Sequence, residues 1–237
     1  MLPKVVLTAT TAMMAWSPLA MAAPRIVEAR SASELSLTAQ LRLADTAIDR
    51  FKLLPEDKDF VYDFDGKDAA IATASGTSFP ALVGTGASLF LGEFGPCSMA
   101  IVHSHPRAAE LFAVISGNLT TEMVPESGVV DSEGNQRVIR TELGPGQMTV
   151  FYQGSFHTQM NSNCEAAKVV TAFPSEDMGA ALIANNAFAL SDKTIANMFG
   201  QVIKGEDIEK VRHALPEGVA SKVDACLAKC GIEKRQA

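Results

Sequence analysis

From Ser88 to about Phe173 the chain falls into short apolar segments separated by turn residues, at residues 89–94, 100–105, 110–116, 119–124, 136–141, 147–152, 158–160 and 167–172. Asp131-Ser132-Glu133-Gly134-Asn135, between two of them, reads as a hairpin tip. Strands at this cadence, with no helices between them, imply an all-β sandwich or barrel. Side chains two apart on a strand share a face, so whatever these strands carry at alternate positions meets inside.

Val102-His103-Ser104-His105-Pro106-Arg107-Ala108-Ala109-Glu110 is the stretch where that rule bears on chemistry. His103 and His105 project to one side of their strand. Pro106 favours a turn, and beyond it Glu110, Phe112 and Val114 share one face of the next strand. A third histidine, His157, follows the apolar strand 147–152 and the Gly154 turn. A His-x-His pair alone on a strand is ordinarily a polar outer face or a hydrogen-bonded core pair. A carboxylate and a third imidazole on separate strands turn the balance towards a metal site. The fourth histidine, His213, lies in a helical pattern and reads as an exposed or packed helical residue.

Four cysteines in an exported chain are read as disulfides first. Export is expected because Lys4, the apolar stretch 5–16 and Ala20-Met21-Ala22 have the layout of a cleaved signal peptide over residues 1–22. If the two histidine strands run antiparallel with His103 near His157, Cys97 falls almost opposite Cys164, and a bridge there would pin those strands. Cys226 and Cys230 could then bridge each other where their helix frays at Gly231. That geometry is strained within a regular helix, so crossed pairing stays open. A zinc site is disfavoured, because neither cysteine pair has ligand spacing to a histidine. Asn118-Leu119-Thr120 fits the glycosylation sequon at a strand end. The formal net charge of −7 argues against nucleic acid or an anionic membrane as the main partner.

Outside the strands the pattern is helical. Leu37, Leu41, Ala44, Ile48 and Phe51 form one apolar face of a helix over about 33–52, with Ser33 as its cap and Pro55 beyond its end. Ser191 caps a second helix, Gly205-Glu206-Asp207 opens a third, and residues 219–230 read as a fourth. The expected division is 1–22 signal peptide, 23–78 N-terminal arm, 79–180 β-barrel with the metal site, and 181–237 C-terminal helical region.

Gly95-x7-His103-x-His105-x4-Glu110-x6-Gly117, followed by Gly146-x7-Gly154-x2-His157-x3-Asn161, resembles the two motifs of cupins. The His-Pro-Arg-Ala-x-Glu run is similar to that of germins, and the single-domain layout resembles the fungal and slime-mould spherulin branch. The resemblance spans about residues 79–215. It implies a single β-jelly-roll barrel, with His103, His105, Glu110 and His157 binding one divalent metal and Asn161 supporting them. In germins that metal is typically manganese, and subunits join through C-terminal helices, so a homo-oligomer is expected. Three imidazoles and a carboxylate suit Mn²⁺, or Fe²⁺ as the alternative, better than tetrahedral zinc. The remaining positions would take O₂, superoxide or a small carboxylate. The chain departs from germins at Ala100, where oxalate-oxidising members have an asparagine, and at Val102 and Tyr152, where proline is usual.

Three functions follow as expectations. The first is a secreted manganese cupin that dismutates superoxide or oxidises a small acid. The second is a non-enzymatic extracellular or cell-wall stress or storage protein with a structural metal. The third is an Fe²⁺ dioxygenase. Arg107 reads as a structural ion pair or subunit contact before an anion-steering group.

Overall fold

The computed structural model of the chain describes residues 35–65 and 73–233. The expected signal peptide and Ser33 lie outside these residues. In chain order come α1 (Leu37–Leu43), α2 (Ala47–Leu53), β1 (Thr73–Ala74), β2 (Ser88–Phe94), β3 (Ser98–Ser104), β4 (Glu110–Ser116), β5 (Leu119–Val124) and β6 (Ile139–Leu143). They are followed by β7 (Met148–Phe151), β8 (Phe156–Asn161), β9 (Ala167–Phe173), β10 (Ala181–Leu182), α3 (Ile183–Phe188), α4 (Asp192–Met198), α5 (Glu206–Ala214), β11 (Ala220–Lys222) and α6 (Asp224–Cys230).

Every expected strand forms, and all pair antiparallel. They build two sheets of jelly-roll character, one in the order β1-β2-β9-β4-β7 and the other β10-β3-β8-β5-β6. Alternation sets the inner faces. On β4, Glu110, Phe112 and Val114 are buried while Leu111 and Ile115 are exposed. β9 turns Ala167, Val169, Thr171 and Phe173 inward. The two inner faces join in one apolar cluster that includes Phe112, Val114, Leu119, Met123, Phe151 and Val169. Each such side chain contributes roughly 1.5–3 kcal/mol through burial. The turn from β4 to β5 needs Gly117, whose φ is +77° and where a Cβ would stand 2.8 Å from Ala167.

The helical ends differ from expectation in two places. The helix foreseen over 33–52 is broken: Ala44 is extended, and Thr46 starts a second helix by accepting a hydrogen bond from Asp49 N. Ser36 caps the first in the same way, through Ala39 N. Leu41 therefore packs with Leu54 and Val83, while Ile48 and Phe51 remain exposed. The second difference lies at 219–230. Its first half is not helix but β11, paired with Ser98–Ala100 of β3, with Ile101 N donating to Val219 O at 2.7 Å. The outer edge of β3 has backbone groups that need partners, and β11 and β10 meet that need along successive halves of the strand.

The disulfides are crossed. Cys97 bonds Cys226 and Cys164 bonds Cys230, the second of the two pairings that the spacing leaves open, rather than Cys97–Cys164 with Cys226–Cys230. Helix α6 runs intact through Cys230 and ends at left-handed Gly231, so its two cysteines lie a turn apart on one face. That face docks on the start of β3 and the turn after β8. Cys97, at φ +52°, is buried against Cys226 and Leu227 of the helix.

Candidate metal centre

Four residues from three strands and one turn converge at one end of the barrel. His103 ends the inward run of β3, and His105 follows one residue beyond the strand. Glu110 opens β4, and His157 stands opposite His103 on β8. All four are buried, and one ligand-type atom from each lies within 4.8 Å of the others. The register between β3 and β8 shifts between Ala100 and His103. Such a bulge re-aims side chains. It lets Ala100 and His103, three apart, line one cavity where plain alternation would oppose them.

The hydrogen bonds fix the imidazoles. Nδ1 of His103 lies 2.8 Å from Ile101 O, that of His105 2.6 Å from Gly179 O, and that of His157 3.0 Å from Ser155 O. A carbonyl can only accept, so each Nδ1 donates its proton; Nε2 then faces inward, bare in a neutral ring and a donor in a protonated one. Nε2 of His105 and His157 lie 2.9 and 3.0 Å from Glu110 Oε2. A bare Nε2 lone pair facing a carboxylate at that distance requires a shared cation, either a proton on the nitrogen or a metal ion that both atoms ligate. The donor set fits a divalent metal on this ground.

The electrostatics agree. At His105 burial opposes the charged imidazole, but the hydrogen bond and charge of Glu110 outweigh it and raise its pKa. At Glu110 burial alone would favour the neutral acid; the hydrogen bonds from His105 and His157 prevail and hold its pKa at about 2. His103 is pushed down to about 4 by burial and then by His157. Ring contacts brace the set, with Phe151 stacked on His157 at 4.3 Å and Phe173 edge-on to His105 at 4.8 Å.

Several supporting groups escaped the sequence reading. Gln159 Nε2 donates to Glu110 Oε1 at 3.1 Å. Its place two residues after His157 on one strand is a signal by which alternation could have found it. The segment 177–180 left no such signal: it touches the site only through Gly179 O and through Met178 and Ala180, which line the cavity. Arg107 holds this segment. Its Nε donates to Asp177 O at 2.8 Å, a second guanidinium nitrogen meets Asp177 Oδ1 at 2.6 Å, and its backbone N donates to Met178 O.

Other expected residues take different places. Asn161 is fully buried, and its amide donates to Phe94 O, Gly95 O and Glu165 O while its Oδ1 accepts from Asn163 N. It ties two turns together and hydrogen-bonds none of the four ligand-type side chains. Tyr152 and His213 are exposed. Asn118 is exposed in the β4–β5 turn. The four cysteines form disulfides and offer no thiolate.

His103, His105 and Glu110 open onto a cavity of about 260 Å³. Phe90, Phe94, Phe112, Phe173 and Met178 line it together with the polar Thr73, Thr171 and Gln159.

Comparison with known proteins agrees with this architecture. Residues 56–202 match the family model described as Cupin. Spherulin-1A of Physarum polycephalum is 32% identical over 210 residues, covering 85% of this chain and 82% of that protein. Germin-like protein subfamily 3 member 1 of Arabidopsis thaliana is 33% identical over 124 residues, 52% of this chain and 56% of that protein. Among solved structures, an oxalate oxidase in complex with the substrate analogue glycolate superposes with a TM-score of 0.56 at 18% identity, over 67% of this chain and 81% of that one. Procruciferin, an 11S globulin from Brassica napus, reaches 0.54 at 17% identity, over 63% and 37%. At these identities the structural likeness speaks to the fold alone, whereas the family model and the spherulin match cover most of the chain in sequence. This chain belongs to the cupin family, in its spherulin and germin-like branch.

Proposed function

We propose that His103, His105, Glu110 and His157 bind one divalent ion, manganese by preference, and that the protein is a secreted metal-dependent oxidoreductase acting on superoxide or a small acid. The observation that carries this reading is the convergence of three Nε2 atoms, each fixed by an Nδ1–carbonyl hydrogen bond, on the Glu110 carboxylate. A bound Mn²⁺ would supply one-electron chemistry and a Lewis acid. The protein's own part is to hold neutral imidazoles in one tautomer, keep Glu110 ionised, and exclude bulk water with phenylalanine walls. Nitrogen and oxygen donors without a thiolate favour Mn²⁺ or Fe²⁺ over softer ions.

The deciding experiment is elemental analysis of the purified protein and of Glu110→Gln. Near-stoichiometric manganese in the parent and little in the variant supports the site and leads to assays of superoxide dismutation and O₂-dependent acid oxidation. Iron in its place moves a dioxygenase reading forward. Metal retained equally by the variant refutes Glu110 as a ligand.

A non-enzymatic role is favoured by one observation: beyond His103, His105 and Glu110, no titratable group lines the cavity among the described residues. His103→Ala separates the two, since an enzyme loses turnover and a metal-stabilised scaffold loses only thermal stability. Secretion is supported by the two disulfides, which suit an oxidising compartment, and exposed Asn118 is then open to glycosylation. A homo-oligomer is supported by exposed apolar residues at both helical ends, Ile48, Phe51 and Val202 among them, and by Leu111, Ile115 and Met148 on the outer face of the five-stranded sheet. Light scattering on eluting protein tests this. A monomeric mass refutes it.

A further inference from the structure

The four cysteines of the chain meet where α6 docks on the start of β3. We propose that they form a thiol–disulfide exchange site. It takes a dithiol at the surface and uses Cys230 to carry the reducing equivalents to the buried Cys97–Cys226 bond.

The two bonds differ in access. Cys97 and Cys226 are 0% and 5% exposed, so an external reductant has no path to either sulfur in the folded chain. Cys164 is exposed and Cys230 half-buried. Yet the bonds lie in contact, with Cys230 Sγ 3.6 Å from Cys97 Sγ and 3.8 Å from Cys226 Sγ. A thiolate on Cys230 therefore stands against a disulfide that solvent does not reach, and exchange is the attack of a thiolate on a disulfide sulfur.

The steps balance. A thiolate of the external dithiol attacks Cys164 Sγ, and Cys230 leaves as thiolate. The second sulfur of the dithiol then closes on the first, and Cys164 leaves and takes a proton. The dithiol has become a disulfide, and its two electrons have passed to the protein. Freed from Cys164, the Cys230 side chain turns into line with the neighbouring bond and attacks Cys97 Sγ. A Cys97–Cys230 bond forms, the Cys97–Cys226 bond breaks, and Cys226 leaves and takes a proton. This step changes partners with no net oxidation or reduction. Cys97 is the target because a Cys226–Cys230 bond is strained within a helical turn. The Cys226 thiol also finds an acceptor in Asn163 O, 3.8 Å away.

The bonds anchor α6 and, through it, the segment that pairs with β3 and puts Val219 in the cavity wall. A second dithiol, acting on Cys97–Cys230 at its half-buried sulfur, removes the last covalent tie without unfolding the barrel. The exchange site thereby sets how firmly that wall is closed.

The test is limited reduction of full-length protein with dithiothreitol at pH about 8, where thiolates form. Trapping with N-ethylmaleimide in acid and peptide mass spectrometry then locate the free thiols. Singly reduced molecules should carry one label on Cys164 and the second shared between Cys230 and Cys226. Reduction by a phosphine at pH about 4, where thiols stay protonated, should leave the second label on Cys230 alone. Cys164→Ser carries the Cys230 thiol without any reductant, so it reads the exchange even where singly reduced protein does not accumulate. In it the free thiol should divide between Cys230 and Cys226. A thiol confined to Cys230, in that variant or in the parent under the thiolate-forming condition, overturns the exchange. Labels on Cys97 and Cys226 together show the buried bond opening first and overturn the relay. Labels on Cys97 and Cys164 overturn Cys97 as the target.

Discussion

The two ends of the barrel interior are built from the same strands and filled with opposite chemistry. At one end Val114, Leu119, Met123 and Val169 pack as a dry core. At the other, three imidazoles and a carboxylate crowd together with like-facing lone pairs. β4 passes from one to the other in four residues, from Glu110 to Val114. The apolar end gains free energy from burial as soon as the sheets close. The polar end gains its full compensation only when a cation joins it, so the site is held together by a core that it does not itself strengthen.

The sharpest way to break this comparison is at the polar end. Glu110→Gln is expected to lower metal affinity by more than about 100-fold, beyond what loss of a ligand's hydrogen-bonding neighbour does, read as metal content after dialysis. The same variant in metal-free protein should be much less harmful than a core truncation. Leu119→Ala, at the apolar end, is expected to cost ~2–5 kcal/mol in denaturant titration. Metal stoichiometry should survive wherever that variant remains folded; loss of metal along with stability would show the ends to be coupled.

Acidity should separate the ends further. In metal-free protein the raised pKa of His105 means that its proton-mediated contact with Glu110 stabilises the fold below the pKa of a free imidazole and fades as pH rises through the raised value. Metal and proton compete for the same Nε2. Metal affinity should therefore fall by up to about tenfold per unit as pH drops below that value. Metal uptake in weakly buffered solution should release a proton, and the stabilisation given by metal should grow with pH. Uptake without proton release would count against His105 as a ligand. Glu110, held at about 2, stays ionised throughout and adds no step in this range.

The smallest effect is expected at Arg107. Its ion pair with Asp177 is exposed, with the Arg107 and Asp177 side chains 53% and 64% accessible, so its loss should cost under about 1 kcal/mol of stability. Because the segment it holds carries Gly179 O, Arg107→Ala should still weaken metal binding by up to about tenfold. An unchanged affinity would leave Arg107 as a surface tie alone.

Much of this was legible in the residues. Alternation placed Glu110, Phe112 and Val114 on one inner face, and the paired motifs brought His103, His105 and His157 together with Glu110, because a two-residue period survives any arrangement of neighbouring strands. The cysteines illustrate the opposite case. Spacing along β3 and β8 suggested Cys97 opposite Cys164, yet both bond to a helix more than sixty residues further on. Likewise, Thr46 splits a helix whose apolar spacing continues across the break, since a cap is a local hydrogen bond that periodicity does not register.

The sequence by itself determined that this chain forms antiparallel sheets closing around a histidine and carboxylate cluster, because strand alternation and turn chemistry are local and add up. Only the tertiary structure decided that β11 and α6 cover the edge of β3, that the bulge turns Ala100 into the cavity, and that Gln159 and Gly179 hold Glu110 and His105 in place. Those depend on contacts between residues far apart in the chain, whose partners are chosen by which edge, lone pair or cavity is left open once the sheets have formed.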